Sequence, residues 1–191
     1  MPQVIQIAGS VLLACVPAAI WGYIFRRKDP QDKRLTGVTF LLGAMAVFPI
    51  LLYKFLWKFF PWINAFAMAD KYKGYIIGFT AVTTVSLSVI MTFMIVGLIE
   101  EVMKLLAVKF ADDDEKIKHI DDAIEFFIIA ALGFSFTENI LYFYNIWDSS
   151  GFSNLFFPFL FRSTFSTFAH IMFSGMLGYY YGIAHFAKPI L

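Results

Sequence analysis

The sequence predicts an all-α integral membrane protein, a polytopic bundle of about five transmembrane helices. Of its 191 residues, 60% are hydrophobic and only 15% are charged, whereas soluble domains carry about 25% charged residues. The apolar runs are far longer than the ~10 residues that a membrane β-strand needs, and only helices and closed barrels span a bilayer. The net charge of +1 gives no sign of nucleic-acid binding.

Five apolar runs define the predicted spans. Each is long enough for a spanning helix, which needs about 20 residues. The third is much longer than that, so it either tilts or projects into water at one end. The runs cover residues 4–25, 35–59, 75–110, 124–147 and 159–186.

The distribution of basic residues predicts the orientation. The loop at 26–34 holds five Lys and Arg residues and the stretch 101–120 holds four. Because cytoplasmic loops are enriched in Lys and Arg, we expect the N-terminus outside and the C-terminus inside. The sequence thus predicts one transmembrane domain over 1–191 in the cell membrane. Its expected parts are a two-helix region at 1–73 and a motif-bearing core at 74–187.

Three glutamates and a histidine stand out inside stretches that otherwise have the composition of membrane helices. A carboxylate in hydrocarbon costs about 3 kcal/mol on insertion scales, so such groups usually face a bundle interior and mark a pathway or a reaction site. Their presence on three different runs predicts one shared polar pocket. They are Glu100, Glu101, Glu138 and His170.

The first motif is the sequence Glu-Glu-Val-Met-Lys at 100–104. Adjacent helical residues point about 100° apart, so Glu100 and Glu101 cannot both face one partner. Lys104 follows them by four and three residues and can pair with either. We expect one Glu to enter the pocket and the other to pair with Lys104. A solvated charge cluster at a helix end is the alternative.

The second motif lies in the fourth run. Phe134 and Glu138 share a helix face at a spacing of four, and Asn139 stands beside them. Predominantly apolar residues precede Glu138, which makes it the hardest of these groups to explain as solvated. The alternative is a protonated Glu that is hydrogen-bonded to another helix.

The third motif is a polar stripe on the fifth run. Arg162, His170 and Ser174 recur at multiples of four residues on an otherwise aromatic segment, as expected for a helix that lines a wet cavity. A packing role for His170 and an Arg162 that snorkels to the interface are the alternatives.

Three kinds of chemistry fit this residue set. A carboxylate and an imidazole at one wet site can activate water for hydrolysis. Alternatively, Glu101, Glu138 and His170 are candidate ligands for a catalytic zinc ion with an open position, although no HExxH motif is present. A proton- or cation-coupled transporter or channel would use the same carboxylates and imidazole for transport.

The three motifs together resemble the PrsW family of intramembrane proteases, within the CPBP/CAAX-protease superfamily. Residues 100–104 match its EExxK motif, residues 134–139 match its FxxxE(N) motif, and Arg162 with His170 match its histidine-bearing helix. The resemblance covers about residues 97–182. It implies a membrane-embedded endopeptidase whose substrates are membrane-anchored proteins such as anti-sigma factors.

The resemblance also implies residue roles. Glu100 or Glu101 would be the water-activating base, Glu138 and His170 would be metal ligands or polarising groups, and Asn139 would support an oxyanion. Metal-dependent and glutamate-dependent mechanisms both stay open. Many relatives continue with further helices, so whether one chain completes the pocket stays open, and a homo-oligomer is a further open alternative.

Overall fold

The computed structural model describes residues 3–25, 33–64, 84–112 and 116–186, and this part of the chain is helical without a strand. Short 3₁₀ turns occur at Pro61–Ile63 and Phe152–Leu155, and a π-helical segment spans Arg162–Ser166. The α-helices are α1 Gln3–Ile24, α2 Lys33–Met45, α3 Val47–Leu56, α4 Thr84–Ala111, α5 Ile120–Ser150, α6 Phe156–Phe161 and α7 Thr167–Phe186.

Three helical stretches are long and apolar enough to cross a membrane: Gln3–Ile24, Lys33–Leu56 and Ile120–Ser150. They coincide with the first, second and fourth predicted runs, which confirms the prediction of an all-helical membrane protein. The count of five spans and the orientation stay predictions. The predicted region boundary at 73/74 lies outside the described residues, as does the start of the third run.

The second predicted run is interrupted at Ala46, between α2 and α3. Pro49 explains the break, because proline lacks the N–H that would bond to the carbonyl of Met45 and its ring crowds that carbonyl. Ala46 closes α2 instead, since its N–H bonds to the carbonyl of Leu42 at 2.9 Å.

The chain forms two compact units. The first comprises Met1–Val47 with Lys104–Leu191, and the second comprises Phe48–Met103. In the second unit, the Tyr53 hydroxyl donates to the carbonyl of Ile63 at 2.7 Å and ties the end of α3 to the 3₁₀ turn. The prediction of a single domain over 1–191 stays a prediction.

Helix α5 is the centre of the first unit, where it packs against α1, α2 and α7. The contact with α2 is closest where two glycines meet backbone. A Cβ added at Gly43 would overlap the carbonyl of Ala130, and one added at Gly133 would overlap the carbonyl of Phe40. Below this contact lies an apolar core of Leu35, Val108, Ile117, Ala123, Phe126, Phe127 and Ala130.

Both ends of α5 are fixed by local structure. The buried carboxylate of Asp122 accepts the backbone N–H of His119 at 3.2 Å, which caps the first turn. At the other end, Gly151 adopts a φ of 85°, a value that favours glycine, and the helix stops there. These two features fix where α5 begins and ends along the chain.

Candidate active site

Glu138 of α5 and His170 of α7 meet inside the first unit. The imidazole Nε2 lies 3.1 Å from the carboxylate Oε2. The Glu138 side chain is 33% exposed and that of His170 is 14% exposed, so a small polar opening remains at the carboxylate. The structure therefore brings together the second and third motifs.

Arg162 binds the same carboxylate. Its Nη2 donates to Glu138 Oε2 at 2.5 Å and its Nε donates to Asn139 Oδ1 at 2.6 Å. The guanidinium also stacks over the Tyr142 ring, 4.5 Å from its centroid. Arg162 thus holds two residues of α5, which is a different arrangement from a snorkelling interfacial arginine.

Asn139 lies buried behind this pair. Its Nδ2 is 3.4 Å from the hydroxyls of Ser135 and Thr167, which are 3.0 Å from one another. Since its Oδ1 accepts from Arg162, the amide is used at both ends by the protein's own groups. Ser135 did not stand out in the sequence, although it precedes Asn139 by one helical turn on the same face.

Lys104, near the end of α4, is fully buried beside His170. Its Nζ lies 3.0 Å from His170 Nδ1 and 4.6 Å from the centroid of the Phe134 ring. The Phe134 ring also packs on the imidazole, with centroids 5.4 Å apart. A buried ammonium group needs partners of this kind, because an isolated charge is very costly in a low dielectric.

These contacts assign the protons of His170. An ammonium group has donors and no acceptor, so His170 Nδ1 accepts from Lys104. The imidazole proton then sits on Nε2 and is donated to Glu138. Lys104 and Arg162 therefore flank a carboxylate–imidazole pair, and both cations point at it.

The remaining predicted residues occupy two places. Ser174 is fully buried on α7, one turn after His170. Glu100 and Glu101 are half-buried on α4 and belong to the second unit. Their share in one pocket with Glu138 stays a prediction.

A comparison with known families decides the family of this chain. The sequence model of the PrsW family of intramembrane metalloproteases matches residues 31–189, which include all three motifs and helices α2 to α7. The chain belongs to the PrsW family. Searches of curated proteins and of solved structures found no match. Membership implies a hydrolase that acts in intramembrane proteolysis.

The family's description as metalloproteases also implies a metal ion. Within the described residues, no cluster of three or more His, Cys, Asp or Glu side chains is placed to hold one. Glu138 is bonded to Arg162, and both nitrogens of His170 are engaged. The positive charges of Arg162 at Glu138 and of Lys104 at His170 would repel a metal cation. The PrsW site in this arrangement therefore does not fit a metal ion.

Proposed function

We propose that this PrsW protein is a multi-pass intramembrane endopeptidase of the cell membrane, which hydrolyses peptide bonds of membrane-anchored proteins. One observation carries the proposal: the Glu138 carboxylate, inside a helix that can span the bilayer, accepts hydrogen bonds from both His170 and Arg162. Intramembrane ionisable groups that pair with one another mark functional sites, and family membership favours hydrolysis over transport.

The oxygen that faces a substrate water is Glu138 Oε1. Within the described part of the chain, both bonds to this carboxylate end on Oε2, and the side chain keeps a third of its surface exposed. We infer that Oε1 binds a water molecule as an acceptor. Arg162 and His170 both occupy the Oε2 side of the carboxylate, which limits the directions from which water can approach.

Hydrolysis then follows from proton transfer at this atom. Glu138 takes a proton from the water, whose oxygen bonds to the carbonyl carbon of the scissile peptide. The tetrahedral intermediate collapses when the C–N bond breaks, and the protonated Glu138 returns the proton to the leaving nitrogen. The Arg162 guanidinium beside the carboxylate offsets the negative charge that develops on the carbonyl oxygen.

Asn139 and Lys104 act indirectly in this scheme. Asn139 fixes the Nε side of the Arg162 guanidinium, so we assign it the positioning of Arg162 in place of the predicted oxyanion support. Lys104 fixes the orientation of His170 through Nδ1. Orienting groups of this kind lower the reorganisation that the site needs during reaction.

The family name implies a metal ion without naming it. The sequence predicts zinc, and this choice of metal stays a prediction. The proposed steps use only the side chains of the chain. A base at Glu100 or Glu101 is likewise a prediction, which Gln variants of each residue test separately in the same cleavage assay.

The expected substrates are proteins with a single membrane anchor, such as anti-sigma factors, and the bilayer is part of the binding site. The test is cleavage of a pool of synthetic single-span peptides in liposomes that contain the purified protein, with new peptide termini read by mass spectrometry. New termini within or beside the span support the proposal. Their absence with the native protein, while ions cross the vesicle membrane, would instead support a transporter.

A further inference from the structure

Trp21 of α1 reaches the segment that carries Arg162. Its indole Nε1 donates to the backbone carbonyl of Ser163 at 2.7 Å, across 142 positions of sequence. The same ring packs on Phe168, with centroids 5.3 Å apart. Trp21 therefore touches the chain directly after Arg162 and again two residues before His170. Helix α1 precedes the region matched by the family model, which begins at residue 31.

The segment that Trp21 touches is π-helical, from Arg162 to Ser166. In it, the N–H and the hydroxyl of Thr167 both reach back to the carbonyl of Arg162, the hydroxyl at 2.9 Å. Single π-helical turns inside α-helices are rare and frequently occur at functional sites. A hydrogen bond from another helix is one way to hold such a turn in place.

The π segment matters for the geometry of the pair that binds Glu138. In a regular α-helix, two side chains that are eight positions apart, as Arg162 and His170 are, point about 80° apart around the axis. A turn with i→i+5 bonds holds more residues, which reduces that offset between Arg162 and His170. Both side chains reach the same atom, Glu138 Oε2, a convergence that the smaller offset favours.

We propose that Trp21 is a positioning residue of the peptidase. Its indole N–H holds the Arg162–Ser166 segment, so that the guanidinium of Arg162 stays within reach of Glu138. A helix outside the family-matched region thereby sets the orientation of a residue inside it. This inference rests on the proposed function, because it assigns Trp21 to the same site.

The first test needs no substrate. The chain has four Trp residues, so a ¹⁵N-labelled sample gives four indole N–H resonances, and Trp21→Phe identifies the one from Trp21. We expect Arg162→Lys to shift this resonance more than the other three. His185→Gln, near the end of α7, is the matched control and leaves it in place. An unmoved Trp21 resonance in a folded Arg162→Lys protein would overturn the inference.

The second test measures cleavage of the peptide pool. Trp21→Phe keeps the aromatic ring and its packing on Phe168 and removes only the donor. We expect kcat/KM to fall about 3- to 10-fold, in the range of one lost hydrogen bond. Adding Arg162→Lys to Trp21→Phe should cost less than the product of the single effects, because both act through one guanidinium.

The control for this assay is Trp62→Phe, since Trp62 is 75% exposed and belongs to the second unit. It should leave kcat/KM unchanged. Trp21→Phe with native kcat/KM, beside an impaired Arg162→Lys, would overturn the inference and leave the proposed function intact. If the native protein cleaves no peptide, the proposed function fails, and the indole spectrum still decides whether Trp21 and the Arg162 segment are coupled.

Discussion

Lys104 and His170 are joined by a 3.0 Å contact between Nζ and Nδ1, although they are 66 residues apart in sequence and lie on different helices. Lys104 is completely buried. The contact also determines which imidazole nitrogen faces Glu138 with a proton. Lys104, a residue of the EExxK motif, thereby orients His170, the histidine of the third motif.

Removal of the Lys104 ammonium group tests this contact. We expect Lys104→Met to lower kcat/KM by about 10-fold or more, because hydrogen bonds that involve a charged group contribute roughly 1.5–3 kcal/mol. The chain has only three His residues, so ¹⁵N-histidine spectra can follow His170 directly. In the native protein we expect the proton on Nε2, and in Lys104→Met a mixture of the two tautomers.

Lys109→Met is the matched control, because Lys109 is an exposed residue of the same helix. It should preserve both the spectrum and the cleavage rate. A native-like His170 tautomer and native cleavage in Lys104→Met would contradict the assigned role of Lys104.

The planar guanidinium of Arg162 donates to both Glu138 and Asn139, which gives a second prediction. Lysine keeps the charge but cannot hold Glu138 and Asn139 in one fixed plane. We expect Arg162→Lys to reduce kcat about 10-fold, a loss equivalent to about 1.4 kcal/mol of transition-state stabilisation, with KM little changed. Arg34→Lys, at an exposed position of α2, should behave like the native protein. Equal kinetics in both variants would show that the guanidinium geometry is unimportant.

The close approach of α2 and α5 predicts a large difference between two glycines of one helix. A Cβ at Gly43 would overlap the carbonyl of Ala130, whereas nothing lies within 4 Å of a Cβ at Gly37. We expect Gly43→Ala to lower the free energy of unfolding by about 1–3 kcal/mol. Gly37→Ala should be neutral or stabilising by up to about 1 kcal/mol. Thermal unfolding in detergent measures both, and an equal loss of stability would refute the helix contact.

Metal removal tests whether the arrangement of Glu138 and His170 describes the active state. Since cations engage both side chains, we expect cleavage to survive treatment with a chelator. We expect the same metal content in native and His170→Ala protein. About one zinc ion per chain that is lost in His170→Ala, together with loss of cleavage on chelation, would place His170 as a ligand and reject the steps proposed above.

The sequence predicted the helical membrane fold because its signal is local. The apolar runs of α1 and α5 are long, and the length of such a run suffices to identify a spanning helix. Pro49 explains the interruption at Ala46. A proline is also compatible with one continuous span, however, so the apolar run alone did not predict the interruption.

The candidate site was predictable only in part. Periodicity placed Arg162 and His170 on one face, but it assumed a regular α-helix and gave no sign of the π segment between them. Spacing predicted a pairing of Lys104 with a neighbouring glutamate, which stays a prediction, but it gave no sign of the contact with His170, because spacing reports contacts along one helix only. The Trp21 contact was invisible for the same reason, because it depends on how α1 packs.

The most direct test of the account is the cleavage of single-span peptides in liposomes by the native protein and by Glu138→Gln. Asp148→Asn, an exposed carboxylate on the same helix, is the control. We expect new peptide termini with the native protein and with Asp148→Asn. In Glu138→Gln we expect the cleavage rate to fall by at least about 100-fold, the usual contribution of a general base. Cleavage by folded Glu138→Gln at the native rate would contradict the central claim.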